Sequence, residues 1–251
     1  TRRAINIKYA GVKEFLEVLR NKGISCIAGV HFDPTLFAGD NQDVYFGAFE
    51  HFASEALGFA IEAECESLTL TPTPPMYLIG KMCTDESSFL KRTAELINRL
   101  ADTAKKGGVK LCVKNEYWSL LRGEGIKDFM SQLADNTYYG IDTACLAIAG
   151  VDPVSFIESC GNRIGSVQLT DTSFVDDGEY YKKPLPEFPA GRATQVFRDL
   201  GQGGIDFPAV IKALENAGYN GWVIVNNRQT RDIYRGMLRA VYYLNNVGVK
   251  V

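Results

Sequence analysis

The amino-acid sequence predicts an α/β fold, a (β/α)8 barrel formed by a single domain that spans residues 1–251. The length of 251 residues is typical of one such barrel and is enough to bury a large core. Short apolar runs alternate with longer segments of helical periodicity, as expected for a parallel sheet covered by helices. No glycine-rich nucleotide-binding motif lies at a strand-to-helix turn, which disfavours the open, doubly wound alternative.

Each predicted element follows from a local pattern. Apolar residues recur with helical spacing from Val12 to Arg20, and Gly23 supplies a C-terminal stop, so a helix is expected there. The run from Cys26 to Phe32 is apolar without alternation, which is typical of a parallel strand buried on both faces. The same reasoning predicts helices at 44–64, 86–105, 126–133, 153–159, 207–217 and 232–244, and strands at 67–71, 109–113, 138–142, 164–169 and 222–225.

This pattern contains six confident strands, whereas a closed barrel of this kind needs eight. Either Ala4 to Tyr9 forms a further, weak strand, or one to two strands precede Thr1; the second explanation is favoured. The connection from Thr170 to Gly204 is long for a barrel loop and rich in Asp, Pro and aromatic residues, so it is a candidate lid over the site.

Composition excludes several classes of partner. The formal net charge is −3, and Lys and Arg are spread along the chain, so no basic stripe for nucleic acid is expected. No apolar run approaches the ~18 residues of a membrane span. The six cysteines lack any C-x-x-C pair, which indicates reduced thiols and a cytoplasmic protein.

Several segments resemble one known family. Their residues are Gly108 to Leu111, Gly140 to Thr143, Ala149 to Pro153, Val167 to Asp171, Leu200 to Gly203, Ile205 to Phe207 and Gly218 to Trp222. In this order and spacing they resemble the xylose-isomerase-like TIM-barrel superfamily, the sugar phosphate isomerase/epimerase and AP endonuclease family 2 type. That superfamily includes sugar epimerases, inosose dehydratases, hydroxypyruvate isomerase and a metal-dependent endonuclease.

The resemblance implies a divalent metal, such as Mn, Mg, Co or Zn, held by Glu, Asp, His and Glu at the ends of four strands. At the matching positions this chain has Lys114, Asp142, Gln168 and Asn226, so only the Asp is kept. An ammonium repels a cation and carboxamides are weak neutral ligands. We therefore expect no tightly bound metal in the usual place, and no other cofactor.

Four residues are candidate catalytic groups. Lys114 and Glu116 lie two apart and so face the same side of their strand; Lys114 either takes over the charge role of the metal or forms an ion pair that fills a vacated cavity. Asp142 is either a general base or a relic. His31 follows its strand at the same mouth, where it either shuttles protons or is hydrogen-bonded beneath the lid.

Four further residues are candidate substrate-binding groups. Gln168 and Asn226 either bind sugar hydroxyls or satisfy one another by hydrogen bonding. Trp118 either stacks on a sugar ring or packs in the core. Arg192, in the long connection, either clamps an anionic substrate or is a solvated arginine. Asp171, by contrast, is expected to hold a loop by accepting hydrogen bonds from backbone N–H groups.

These residues favour an enzyme that isomerises, epimerises or dehydrates a small-molecule sugar or keto-polyol by proton transfer next to a carbonyl. The alternative is a catalytically inactive barrel that binds carbohydrate or serves as a subunit of a larger assembly. Neither a nucleic acid nor a membrane is expected as partner, and a homo-oligomer is left open.

Overall fold

The computed structural model describes residues 2–190 and 195–249. Its centre is a sheet of six parallel strands in sequential order, with each strand hydrogen-bonded to the next along the chain. The strands are β1 Gly29–Phe32, β2 Ser67–Leu70, β3 Lys110–Lys114, β4 Thr137–Asp142, β5 Ile164–Leu169 and β6 Val223–Val225. All six lie within one or two residues of the predicted strands, apart from the later start of β1.

Helices connect the strands. They are α1 Arg2–Tyr9, α2 Val12–Asn21, α3 Gln42–Glu62, α4 Met76–Met82, α5 Glu86–Lys106, α6 Gly125–Met130, α7 Thr143–Ile148, α8 Pro153–Cys160, α9 Phe207–Asn216 and α10 Ile233–Asn246. The weak strand considered for Ala4 to Tyr9 is wrong, because this segment lies in α1, where Ile5 is buried against α2 and the core. Short helices α4 and α7 were not predicted.

The sheet curls into part of a barrel. Thr69 on β2 and Ser166 on β5 are three strands apart, yet their hydroxyl oxygens lie 3.0 Å from one another. Gly140 on β4 makes this approach possible, since a Cβ there would lie 2.9 Å from Thr69 Cγ2. Strands β1 and β6 are the two edges, so among the described residues two strand positions of an eight-stranded barrel are unfilled.

The main core lies between the sheet and the helices that cover its outer face. The side chains of β2 are fully buried, and α3 and α5 bury Phe49, Leu57, Phe89 and Ile97 against it. Apolar side chains buried in this way supply most of the stabilisation of the fold. In the part of the chain that the structure describes, no helix combines the length and hydropathy needed to cross a bilayer.

The long connection after β5 packs over the carboxyl ends of the strands. Phe174, Val196 and Phe197 of this connection form a second apolar cluster with Tyr117 and Trp118, which follow β3. This cluster ties the connection to the residues that follow β3, and the lid role expected for the connection stays a prediction.

Asp171 fixes the base of the connection. Its carboxylate accepts hydrogen bonds from the backbone N–H groups of Gly201 at 2.9 Å, Gly203 at 2.8 Å and Thr172 at 2.8 Å. Asp171 is 1% exposed, so these donors replace the water that burial removes. The loop-holding role predicted for Asp171 is confirmed.

We expect Asp171→Ala to lower the free energy of unfolding by about 3 kcal/mol, because buried hydrogen bonds to a charged group are lost together. Asp171→Asn should lose less, since its amide oxygen still accepts one or two of these bonds. Urea denaturation measures both changes. Asp135→Ala, at an exposed aspartate, is the control and should change stability little; an equally small effect of Asp171→Ala would contradict the role.

Candidate active site

Four neighbouring strands place polar residues at their carboxyl ends. The parallel register sets Lys114 beside Gly140 and Asp142 beside Gln168, and Asn226 extends β6 by donating its backbone N–H to the Leu169 carbonyl at 3.0 Å. Because the carboxyl ends of parallel strands meet at one edge, these side chains share one mouth of the partial barrel.

A buried cluster of charges occupies this mouth. Lys114 Nζ lies 2.8 Å from Glu116 Oε1 and 3.2 Å from Asp142 Oδ2. Arg228 Nη1 lies 2.9 Å from Glu116 Oε2 and 4.0 Å from Asp142 Oδ2. The side chains of Lys114, Glu116 and Asp142 are at most 3% exposed, so water contributes little to their solvation. Two cations and two carboxylates therefore balance one another away from solvent.

The ion pairs shift the protonation equilibria of the cluster. Burial acts to lower the pKa of Lys114, but the carboxylates of Glu116 and Asp142 outweigh burial and raise it above its ordinary value. Burial likewise acts to raise the pKa of Glu116, and Arg228 and Lys114 together bring it below its ordinary range. Both groups are consequently charged at neutral pH.

Asp142 is held on every side. Its Oδ1 accepts from the backbone N–H of Cys145 at 3.2 Å and so caps α7, and its Oδ2 accepts from Thr170 Oγ1 at 3.1 Å. The side chain of Asn115 donates to the Asp142 carbonyl at 3.4 Å and accepts from its N–H at 3.1 Å. The carboxylate that faces Lys114 is therefore fixed by both backbone and side-chain contacts.

Beside the cluster lies an open cavity of about 390 Å³. Its polar lining includes His31, Thr69, Lys114, Gln168, Asn226 and Arg228. Within it, Asn226 Nδ2 donates to Gln168 Oε1 at 3.1 Å, so the two carboxamides satisfy one another as one of the two predicted arrangements requires. A cavity of this size accommodates a small polar molecule.

His31 lies at the rim of the cavity at the end of β1, with its Nε2 atom 2.8 Å from Thr71 Oγ1. Although the residue as a whole is exposed, desolvation by the surrounding protein, and then the positive charge of Lys114, lower the pKa of His31 to about 4. Its imidazole is therefore uncharged at neutral pH.

Trp118 does not line the cavity. It is 5% exposed within the second apolar cluster, and its indole Nε1 donates to Glu187 Oε1 at 2.9 Å. Glu187 belongs to the long connection and also forms an ion pair with Arg228 Nη2. Arg192, the remaining predicted substrate-binding residue, lies outside the described residues.

Two residues of the site were not predicted from the sequence. Arg228 could have been predicted from the sequence, because it lies two residues beyond Asn226 and therefore faces the same side of the extended chain. The same spacing relates Glu116 to Lys114. Glu187 carries no such signal, since it lies in a long irregular connection between aromatic and proline residues.

The donor set at the mouth does not fit a divalent metal. Both carboxylates near the cavity already bind Lys114 and Arg228, which leaves the imidazole of His31 and the two carboxamides as the other nitrogen and oxygen ligands that the strand ends bring to the cavity. Across residues 2–190 and 195–249, no three His, Cys, Asp or Glu side chains cluster in a way that could hold a metal ion. A cation placed here would have to displace an ammonium and a guanidinium from their partners.

The family is established by comparison with known proteins. The model of the family described as xylose isomerase-like TIM barrel matches residues 3–242, nearly the whole chain. The chain therefore belongs to this family, as the sequence motifs indicated.

Relatives and solved structures agree with this assignment. Inosose dehydratases are among the relatives: the chain is 27% identical to that of Lacticaseibacillus casei over 141 residues and 30% identical to that of Yersinia enterocolitica over 143 residues. Each match covers 55% of this chain and 47% or 48% of the relative, so the chain spans about half the length of these proteins.

The solved structures show the shared fold. The probable 3-DHS dehydratase AsbF of Bacillus anthracis has a TM-score of 0.75 at 10% identity, with 98% of this chain and 85% of that chain covered. D-psicose 3-epimerase of Clostridium cellulolyticum has a TM-score of 0.69 at 15% identity, with 96% and 85% covered.

We expect Lys114→Met to lower the free energy of unfolding by about 3 to 5 kcal/mol, because it leaves buried carboxylates without their cation. The double variant Lys114→Met, Asp142→Asn should recover part of this loss, and Glu116 keeps Arg228 in both variants. A double-mutant cycle in urea measures the coupling.

Lys110→Met is the matched control, because Lys110 lies on the same strand but pairs with Glu66 in a partly exposed position, at 2.8 Å. It should cost less than about 1 kcal/mol. Equal effects at the two lysines, or strictly additive effects of Lys114→Met and Asp142→Asn, would mean that Lys114 does not hold the cluster together.

Stability should depend on pH through His31. Its pKa in the folded protein, about 4, lies below the ordinary value of 6.5, so the unfolded chain takes up the proton first as pH falls. The contribution of His31 is thus present above pH 6.5 and is lost towards pH 4. We expect the thermal midpoint of His31→Gln to depend less on pH than that of the wild type between these two pH values. Parallel curves of thermal midpoint against pH would contradict the lowered pKa.

Proposed function

We propose that this chain catalyses proton transfer next to the carbonyl of a sugar or keto-polyol, in an isomerisation, epimerisation or dehydration. The observation that carries the proposal is the charged cluster of Lys114, Glu116, Asp142 and Arg228 at the carboxyl ends of the strands, beside a polar cavity. Catalytic groups in barrels of this kind lie at that end.

Lys114 is assigned to stabilise the negative charge that develops on the carbonyl oxygen when the neighbouring carbon loses its proton. Lys114 lines the cavity, and two buried carboxylates keep its ammonium protonated and fixed in position. A fixed charge in a site shielded from water needs no reorganisation during the reaction, and this is the largest source of catalysis in many enzymes.

His31 is assigned to accept and return the proton. Its imidazole is uncharged at neutral pH and lines the same cavity as Lys114, so an acceptor and a stabilising cation face one molecule. Glu116 serves to anchor Lys114 and Arg228, because its two carboxylate oxygens already bind these cations, and Asp142 anchors Lys114 from the neighbouring strand. The catalytic roles first expected for these carboxylates thus become positioning roles.

Gln168 and Asn226 are assigned to bind substrate hydroxyl groups. Each carboxamide offers both donors and acceptors, and their mutual bond can be exchanged for bonds to a polyol at little cost. Their place on the cavity wall, between β5 and β6, supports this role.

The relatives support the class of reaction. Inosose dehydratases act on a keto-polyol by name, and the sugar epimerases and the 3-DHS dehydratase share the fold. We propose that the ammonium of Lys114 serves here in the role that a divalent metal has in the family, since the donor set fits a cation poorly. The six free cysteines support a reducing compartment such as the cytoplasm.

One observation favours the alternative of an inactive barrel within a larger assembly. Tyr234, Leu238 and Tyr242 lie four residues apart on α10 and are 72% to 78% exposed, so they form an apolar stripe along this helix. Stripes of this kind mark contacts with other chains, including a second copy of the same chain.

The decisive measurement is deuterium uptake. When the protein is incubated in D2O with a panel of ketoses and inososes, it should catalyse exchange of the sugar hydrogen next to the carbonyl, as followed by NMR. This exchange should persist when a chelator is added. His31→Gln should slow it by about 10²-fold or more, because a general acid–base group is removed.

His51→Gln is the matched control, since His51 is the other histidine of the chain and lies on α3 at the surface. It should leave exchange unchanged. Binding of these sugars without any exchange would favour the inactive barrel.

A further inference from the structure

The cavity presents cationic and neutral groups only. Lys114 and Arg228 line it together with His31 and the two carboxamides, whereas no carboxylate of the described residues does. Glu116 and Asp142 lie beneath the lining, at most 1% exposed. A bound molecule therefore meets the positive ends of these ion pairs first.

The long connection supplies a carboxylate to Arg228, one of the cations of this lining. Glu187 binds Arg228 through Nη2 and accepts a hydrogen bond from Trp118 Nε1 at 2.9 Å. Arg228 is fixed for this contact, because its Nη1 binds Glu116 at 2.9 Å and its guanidinium lies 4.6 Å from the centre of the Phe197 ring. A guanidinium and an indole N–H held in place form a two-point receptor for an anionic group.

A third donor stands near this receptor. Tyr117 is fully buried, and its hydroxyl has no hydrogen-bond partner in the part of the chain that the structure describes. The Tyr117 ring centre lies 6.1 Å from that of Phe197, the same ring that the Arg228 guanidinium contacts. Burial, and next the negative charge of Glu187, raise the pKa of Tyr117 above its ordinary value. A buried hydroxyl without a partner is costly, and an anion with more than two acceptor oxygens would supply one.

Glu187 is also the carboxylate in excess. Lys114 and Arg228 are balanced by Glu116 and Asp142, so Glu187 adds a third negative charge to two positive ones. Burial raises the pKa of Glu187, although Arg228 acts against this effect. The side chain of Glu187 is 19% exposed and belongs to a surface connection, so it can leave without disturbing a strand or helix.

We propose that the substrate of this site carries an anionic group, a carboxylate or a phosphate, which binds Arg228 and Trp118 in exchange for Glu187. In the free protein Glu187 occupies this anion subsite as an internal substitute. The proposal rests on the proposed function for the carbonyl end of the substrate, and it adds the chemistry of the other end.

The test compares three ligands that share a ketose skeleton and differ at C6, away from the carbonyl: neutral D-fructose, the carboxylate D-fructuronate and the phosphate ester D-fructose 6-phosphate. Isothermal titration of the wild type should give at least tenfold tighter binding for one of the two anions than for fructose. Which anion binds more tightly distinguishes a sugar acid from a sugar phosphate as the substrate class.

Variants locate the effect. Glu187→Gln should tighten binding of the preferred anion at least threefold and leave fructose unchanged, because the competing charge is removed. Glu179→Gln, an identical change at an exposed glutamate of the same connection, should alter neither. Arg228→Lys, which keeps the charge that Glu116 needs and loses the planar fork, should weaken the anion at least tenfold.

The proposal is overturned if fructose binds as tightly as both anions, if none of the three binds, or if Glu187→Gln and Glu179→Gln have the same effect. Deuterium exchange on the same ligands separates it from the proposed function. If exchange occurs but anions are not bound more tightly than fructose, the anion subsite is wrong and the proposed enzyme activity stands. If an anion is bound more tightly but no ligand undergoes exchange, the anion subsite stands and the proposed proton transfer is wrong.

Discussion

The ammonium of Lys114, shared between Glu116 and Asp142, is the interaction on which the site depends. It joins the end of β3 to the end of β4 below the cavity, with all three side chains nearly excluded from water. Without this cation, two carboxylates of like charge would face one another in a medium that solvates neither. Arg228 adds the end of β6, so three of the six strands meet in one network.

The fold fixes the partners of Lys114 in place. Asp142 is fixed by the N-terminus of α7, by Thr170 and by the side chain of Asn115, and Glu116 is fixed by Arg228 and by Cys145 Sγ at 3.2 Å. Side chains with satisfied hydrogen bonds have no need to rearrange during a reaction. Burying the cluster away from water therefore lowers the stability of the fold, but it holds the ammonium of Lys114 in a fixed position.

Part of this site follows from the sequence. Strand ends are readable from apolar runs, so Lys114, Asp142, Gln168 and Asn226 could be placed at one mouth, and the alternation of side chains brings Arg228 with Asn226. The position of Glu187 could not be predicted, because an irregular connection has no period that fixes its direction. The same limit applies to the segment 4–9, whose single buried residue gives too weak a pattern to separate helix from strand.

The cavity is lined by positive rather than negative charges because the carboxylates of the cluster are buried behind the cations. The carboxylates of Glu116 and Asp142 are buried behind the cavity wall and do not line it. The cationic residues Lys114 and Arg228 line the cavity instead. The connection after β5 supplies a further carboxylate, that of Glu187, which forms an ion pair with Arg228. A ligand that brings its own negative group can make the same contact, whereas a neutral polyol would have to leave Glu187 in place.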